Sequence, residues 1–300
     1  MMKTDDLEAF VAVVRHQSIS RAAQEIGIAQ PLLSRRVQGL ETTLGVALFD
    51  RQNKPLRPTP AGLRLAQQCR IVLQEVTILR EMASTDALPN GNLRLGMTQS
   101  VGELVLGSLL GQLQEEWPDL APQVSTGWGA TLIERVERGE LDAAVVLQGR
   151  GKSMPANVEA RLLHRSRVAI LGRKGEWQRR RYALADCADT GWVLNPDGCG
   201  FRAGLQRALA ERGLPLHVRL DTFARDLQLQ SAANGVGLSL LPRPLYTNSA
   251  FDGQLDELSL TDFKPEAEAW LVRGRGHGLD RLHQPIERIG DYVESALALH

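Results

Sequence analysis

Between Gln30 and Arg36 the chain reads QPLLSRR. An amide, a hydroxyl and two guanidinium groups this close together suit paired hydrogen bonding to a rigid array of donors and acceptors. The edges of DNA bases form such an array. Gln matches adenine, Arg matches guanine, and Ser serves a base or a phosphate. On a helix beginning at Pro31, Leu33 and Val37 must face the protein, so Ser34 and Arg35 point outward. Arg36 lies further round, where a phosphate is the better partner. Downstream, Arg51, Asn53, Lys54 and Arg57 add cations suited to a nucleic-acid backbone or minor groove.

A second set of residues suits a small anion. Met97-Thr98-Gln99-Ser100 ends one apolar run and opens a helical pattern, and Asn195-Pro196-Asp197-Gly198-Cys199-Gly200-Phe201 does the same later. The free amides and positive dipole of a helix N-terminus favour negative charge, and the hydroxyls of Thr98 and Ser100 can join them. In open α/β sheets such strand ends are where ligands sit.

The elements that must position these groups follow from periodicity. Leu7, Phe10, Val11 and Val14 mark one helical face. Ser18 or Ser20 caps the next helix, whose buried side is Ala22, Ala23 and Ile26. Gly27 suits a tight inter-helix turn. Pro31 suits the first position of a new helix, where its missing N–H costs nothing. Leu32, Leu33, Val37 and Leu40 are expected to face inward from it. The pair forms a helix-turn-helix, whose second helix enters a major groove N-terminal end first. DRQNKPLRPTPAG then reads as a hairpin, a small wing. From Ala61 to about Ser84 a long helix carries Leu65, Cys69, Val72, Val76, Leu79 and Ala83 at heptad spacing, a narrow seam that can pair with a second copy of the chain or pack on the chain's own core, its length and narrow stripe favouring pairing. Residues 86–91 read as a linker. Beyond it short apolar strands alternate with helices, which predicts parallel sheets with helices on both faces.

Composition narrows the class. The 300 residues hold 35 Lys and Arg against 35 Asp and Glu, so overall charge points to no polyanion. Locally it does: from Arg21 to Arg70 there are eight Lys or Arg against three Asp or Glu. Cys69, Cys187 and Cys199 form no CxxC pair, which supports neither a zinc site nor a disulfide framework. No metal and no bound cofactor is expected. The N-terminus lacks signal-peptide architecture, and no apolar run approaches the roughly 20 residues that span a bilayer. A cytoplasmic location without membrane contact is expected.

Taken together, the stretches LEAFVAVVRHQSISRAAQEIGIAQPLLSRRVQGLETTLGVALFDR, TPAG, LRLGMTQS, LIERVERGELDAAVV and NGVGLSLLP resemble LysR-type transcriptional regulators, over essentially the whole chain. The first is the most specific, with Ser-x-x-x-Ala-Ala, Gln-Pro-x-x-Ser-Arg and Leu-Phe-x-Arg in order. The resemblance implies an N-terminal all-α winged helix-turn-helix over residues 1–60 and a dimerising linker helix and hinge over 61–90. It further implies a two-lobed α/β effector domain like a periplasmic binding protein of type 2 over 91–300. Lobe I would take about 91–165 and 267–300, and lobe II about 166–266. It implies that Gln30, Pro31, Ser34 and Arg35 meet DNA. The two strand-end turns would face each other across the cleft, with Thr98, Gln99, Ser100, Asn195, Cys199 and Phe201 on the effector. Thr222 and Phe223 would flank it, with Trp128 and Leu147. The expected partners are a double-stranded operator, a small effector such as a carboxylate, and further copies of the chain as dimer or tetramer. RNA polymerase joins that set as a regulator's target.

Alternatives remain. Thr98 and Ser100 would serve equally well as helix caps. Some members of the resembled family sense peroxide through a cysteine in this turn, followed about nine residues on by a second. Cys199 stands one position early, and no cysteine follows it in the next helix. A thiol at a helix N-terminus can nonetheless have a lowered pKa. A stand-alone solute-binding protein is a further possibility on the same two-lobed fold. An enzyme is disfavoured, because no G-x-S-x-G, P-loop, HExxH or paired carboxylate cluster is present.

Overall fold

The computed structural model describes residues 2–50, 55–82, 89–178, 181–247, 249–274 and 280–299. The chain divides into two compact units, the first within residues 1–87 and the second from residue 88 onward.

The first unit contains α1 (Thr4–His16), α2 (Ile19–Ile26), α3 (Gln30–Leu44), β1 (Phe49–Asp50), β2 (Arg57–Pro58) and α4 (Pro60–Met82). Its core is the apolar stripe of each helix: Leu7, Phe10 and Val13 of α1, Ala22 and Ala23 of α2, and Leu33, Val37 and Leu40 of α3. Leu32 departs from expectation and points outward, 45% exposed. Ser18 caps α2 by accepting from the Arg21 amide at 3.4 Å. Gly27 takes φ +73°, the left-handed conformation the turn into α3 needs. β1 and β2 pair antiparallel as the base of the wing. Gly62 allows α4 to start against it, because a Cβ there would lie 2.2 Å from the Leu48 carbonyl oxygen.

The seam on α4 divides. Leu65 and Cys69 pack on the core of α1–α3, whereas Val72 and Leu79 are exposed. The expectation of one continuous pairing stripe is therefore corrected: the unit's own core takes the seam's N-terminal half. Among its described side chains, the large apolar ones that α4 leaves in solvent are Leu63, Ile71, Val72 and Leu79. Ala83 lies outside the described residues.

The second unit contains β3 (Gly91–Thr98), α5 (Gln99–Glu116), β4 (Leu120–Gly127), α6 (Gly129–Glu137), β5 (Ala143–Gly149), β6 (Val158–Arg173), β7 (Trp192–Leu194), α7 (Gly200–Ala210), β8 (Val218–Asp221), α8 (Arg225–Ala233), β9 (Leu238–Pro242), β10 (Leu255–Glu257), β11 (Glu266–Gly274) and α9 (Asp280–Ala298). Among the described residues they make one path of strands, β4-β3-β5-β11-β6-β9-β7-β8, with β10 on β6. The pairs β3–β4, β3–β5, β7–β8 and β7–β9 are parallel. Beside these expected parallel pairs, β6 and β11 run antiparallel to each other and to their other neighbours. The 16-residue β6 serves both lobes. As far as Arg167 it pairs with β11, and from Val168 it pairs with β9. Each lobe thus has its own parallel strands, and the antiparallel strands join them. Apolar clusters around Val146 and Val272 in one lobe and around Trp192 and Leu205 in the other fill the interiors.

Candidate nucleic-acid interface and effector cavity

The N-terminal turn of α3 presents Gln30, Pro31 and Arg35 to solvent, with Ser34 half-buried beside them. The reason is periodicity: Leu33, Val37 and Leu40 hold the opposite face in the core. Arg35 has no ion pair among the described residues, so its fork of donors is available. Arg36 is different. Its guanidinium donates to the Asp5 carboxylate at 2.7 Å, and its side chain is 22% exposed. A phosphate would have to compete with Asp5 for this guanidinium. Arg51 and Lys54 lie outside the described residues. Arg57 is exposed at the start of β2. No side chain bonds the first-turn amides of α3, and Pro31 needs no such partner.

In the second unit the first turns of α5, α6, α7 and α8 border one cavity of about 220 Å³ between the lobes. α5, α6 and α8 have no side-chain cap, and at α7 it is the Cys199 thiol that meets the first-turn amides of Phe201 and Arg202. The expected residues Thr98, Gln99, Ser100, Trp128, Leu147, Asn195, Cys199 and Phe201 all line it. Thr98 ends β3 and is only 6% exposed, and its Oγ1 has no hydrogen-bond partner among the described residues. A buried hydroxyl left this way costs about 1–3 kcal/mol unless something supplies the missing bond. Gln99 spans the cleft, its amide donating to Glu103 at 3.1 Å and to the Phe223 carbonyl at 3.5 Å.

An aromatic wall closes one side. The rings of Trp128 and Phe223 lie 5.4 Å apart, tilted by 35°. Opposite, Gly198 takes φ +101°, and a Cβ there would fall 2.6 Å from Trp128 Nε1. Only a glycine allows the indole that close. Lys152 and Arg225 add positive charge to the lining. Arg225 also pairs with Asp226 at 3.2 Å, whereas Lys152 has no ion pair among the described residues.

Thr222 is a correction. It is absent from the lining, and its Oγ1 accepts from the Ala224 amide at 3.1 Å, shaping the turn into α8. Phe223, next along, takes the place on the cavity. Lys152, Arg225, Gln148 and Gln228 were not legible as site residues. Lys152 sits in an ordinary polar turn, and Gln228 faces inward only because α8 packs there, donating to the Val193 carbonyl at 3.1 Å.

Cys199 is the N-cap residue of α7. Burial pushes its thiol above the ordinary range. The Arg202 and Phe201 amides, with the Arg202 and Lys152 charges, offset only part of this. The lowered thiol expected at a helix N-terminus is therefore not found. Cys187 is fully buried, with its thiol pushed up to about 12 by burial and by Asp186 and Asp262, and Cys69 is buried too.

Comparison with known proteins gives a consistent picture. Residues 4–63 match the model of the bacterial regulatory helix-turn-helix protein, lysR family, and residues 86–289 match the LysR substrate binding domain. The HTH-type transcriptional regulator BbuR of Bordetella bronchiseptica is 30% identical over 264 residues, covering 87% of this chain and 80% of its own. A hydrogen peroxide-inducible genes activator of Dickeya chrysanthemi is 29% identical over 301 residues, covering 100% and 97%. Full-length OxyR from Pseudomonas aeruginosa has the same fold, with a TM-score of 0.75 at 22% identity and 98% of each chain covered.

Proposed function

The chain belongs to the LysR family of DNA-binding transcriptional regulators, and we propose that a small, flat anion held between the lobes of its second unit controls it. The observation that carries this reading is Thr98, a buried hydroxyl without a partner at the point where uncapped helix ends converge. An anion there accepts from Thr98 Oγ1 and from open amides, and Lys152 and Arg225 add attraction. The size limits the ligand. A cavity of about 150 Å³ holds benzene, so about 220 Å³ suits one ring, or a chain of similar bulk, with one anionic group. Trp128, Phe223 and Phe201 favour a flat body. A carboxylate fits these terms.

On the DNA side, Gln30, Pro31, Ser34 and Arg35 are the proposed groove contacts. The exposed apolar side chains of α4 are offered to a second copy, and pairing of dimers gives a tetramer. Binding of the effector biases the oligomer between two assembly states by its different affinity for each. The output passes to RNA polymerase. On this reading the protein acts in the cytoplasm by binding rather than by catalysis. No described helix is long and apolar enough to cross a membrane.

Calorimetry and thermal shift with single-ring and short-chain carboxylates, each beside its neutral amide, test the effector class. Carboxylates are expected to bind and the amides not. Binding of the amides alone would sink it.

A second reading is raised by the name of the Dickeya relative, a peroxide-inducible activator. Cys199 is then the sensor. Its raised thiol and the burial of Cys69 and Cys187 argue against that. Oxidation of Cys199 at stoichiometric peroxide, read by mass spectrometry, would restore it.

A further inference from the structure

The core of the first unit accounts for nearly every large apolar side chain around α1–α3. From Leu7 to Phe49, each Leu, Ile, Val and Phe packs into or against it except Leu32 and Leu44. Leu44 ends α3. Leu32 stands in the first turn, immediately after Pro31 and three residues before Arg35. At 3.6 residues per turn it lies about 60° round the axis from Arg35, on the side where Gly39 also falls. A side chain at Gly39 would meet nothing within 4 Å, so the surface beside Leu32 is open.

We propose that Leu32 is a specificity-determining residue for operator DNA, packing on the 5-methyl group of a thymine in the major groove. Base edges in that groove offer donors, acceptors and one apolar feature, the thymine methyl. When α3 docks, Leu32 loses water whatever sequence lies beneath it. Over a thymine methyl, two apolar surfaces leave water together. Over the amino group of cytosine or adenine, a donor loses water and gains no partner. Leu32 thus adds an apolar reading beside the hydrogen-bonding one of Gln30, Ser34 and Arg35. A two-fold dimer asks for one such thymine in each half-site. The inference rests on α3 entering the groove and adds a contact that the polar residues do not supply.

The test uses the full chain. Duplexes are enriched from a random pool, and each thymine of the enriched site is replaced in turn by deoxyuridine, which lacks only the methyl. One thymine per half-site is expected at which replacement weakens wild-type binding about fourfold, as for one methyl buried. At that position Leu32→Ala binds the thymine and uracil duplexes equally. Leu32→Met, still apolar and long, keeps the preference. The proposal is overturned if the wild type tolerates every replacement within twofold, or if Leu32→Ala keeps the fourfold preference. Failure to enrich any duplex is a separate result, which overturns groove docking by α3 and this contact with it.

Discussion

Ser18 caps α2, and Thr59 caps α4 by accepting from the Gly62 amide at 2.9 Å. α3, α5, α6 and α8 begin with no side chain on their first-turn amides, and α7 has only the Cys199 thiol there. An N-cap contributes about 1 kcal/mol, so leaving four helices without one forgoes stability. All five helices face a proposed ligand. They do so in opposite geometries. The start of α3 is exposed and flanked by Arg35, which has no ion pair among the described residues, and this suits a partner much larger than the helix. The starts of α5–α8 converge on a partly open cavity with an aromatic wall, which suits a small partner held on several sides. In the first case affinity comes from many solvent-facing charges and falls with salt. In the second it comes from a few groups in a drier setting, where each counts for more.

The contrast can be broken most sharply at α3. Replacing Ser34 and Arg35 together by Ala should lower operator affinity about hundredfold, at about 1–3 kcal/mol per base contact. Effector affinity should stay unchanged. Fluorescence anisotropy at fixed salt reads the first and calorimetry the second. A matching loss of effector binding would mean that the two regions do not work separately.

Next in size is Gly198→Ala. The new Cβ meets Trp128 in a left-handed backbone conformation, and strain of about 1–3 kcal/mol follows. Effector affinity should fall about thirtyfold with operator affinity kept. Unchanged titrations would show that the approach of Trp128 to Gly198 does not matter for the bound state.

Thr98→Val sharpens the comparison because its two effects have opposite signs. The free protein loses an unpartnered buried hydroxyl, so its melting temperature should hold or rise. Effector affinity should fall about tenfold, the value for one hydrogen bond to a charged group. A lowered melting temperature would indicate that Thr98 caps α5 after all.

The smallest effect belongs to Arg36→Ala. Its partner Asp5 is half exposed, and a surface ion pair contributes about 0–1 kcal/mol. Operator affinity should change less than about threefold, with little change in its salt slope. A slope shallower by about one would return Arg36 to the phosphates.

Much of α3 was legible because its residues are neighbours on one helix. Once Leu33 and Val37 face inward, the direction of Ser34 and Arg35 follows from 3.6 residues per turn. The ion pair of Arg36 is not legible in α3, because its partner, Asp5, comes from another helix and no helical period reports it. Leu32 reads as core in the sequence because it is an apolar side chain in an apolar stripe. Its exposure depends on how far α1 and α2 reach round α3. The seam on α4 carries the same lesson. Heptad spacing marks a stripe to be covered without naming the cover, and the unit's own core covers Leu65 and Cys69.

In the cavity, strand ends that open helices were recognisable at Thr98–Ser100 and Asn195–Phe201. Lys152 and Arg225 were not, because they arrive through the pairing of β6 with β11 and β9. Thr222 looked as suitable as Thr98. The difference is that the turn into α8 uses one hydroxyl, while the other is buried with no hydrogen-bond partner among the described residues.

By itself the sequence determined the helix-turn-helix, the order of strands and helices, and the helix starts that could meet an anion. These depend on side-chain size, period and turn chemistry within a few residues. Tertiary structure alone decided which side chains keep a free hydrogen-bonding group, which cations are neutralised and which apolar surfaces stay wet. Those properties belong to pairs of surfaces, and the pairs form between elements tens of residues apart.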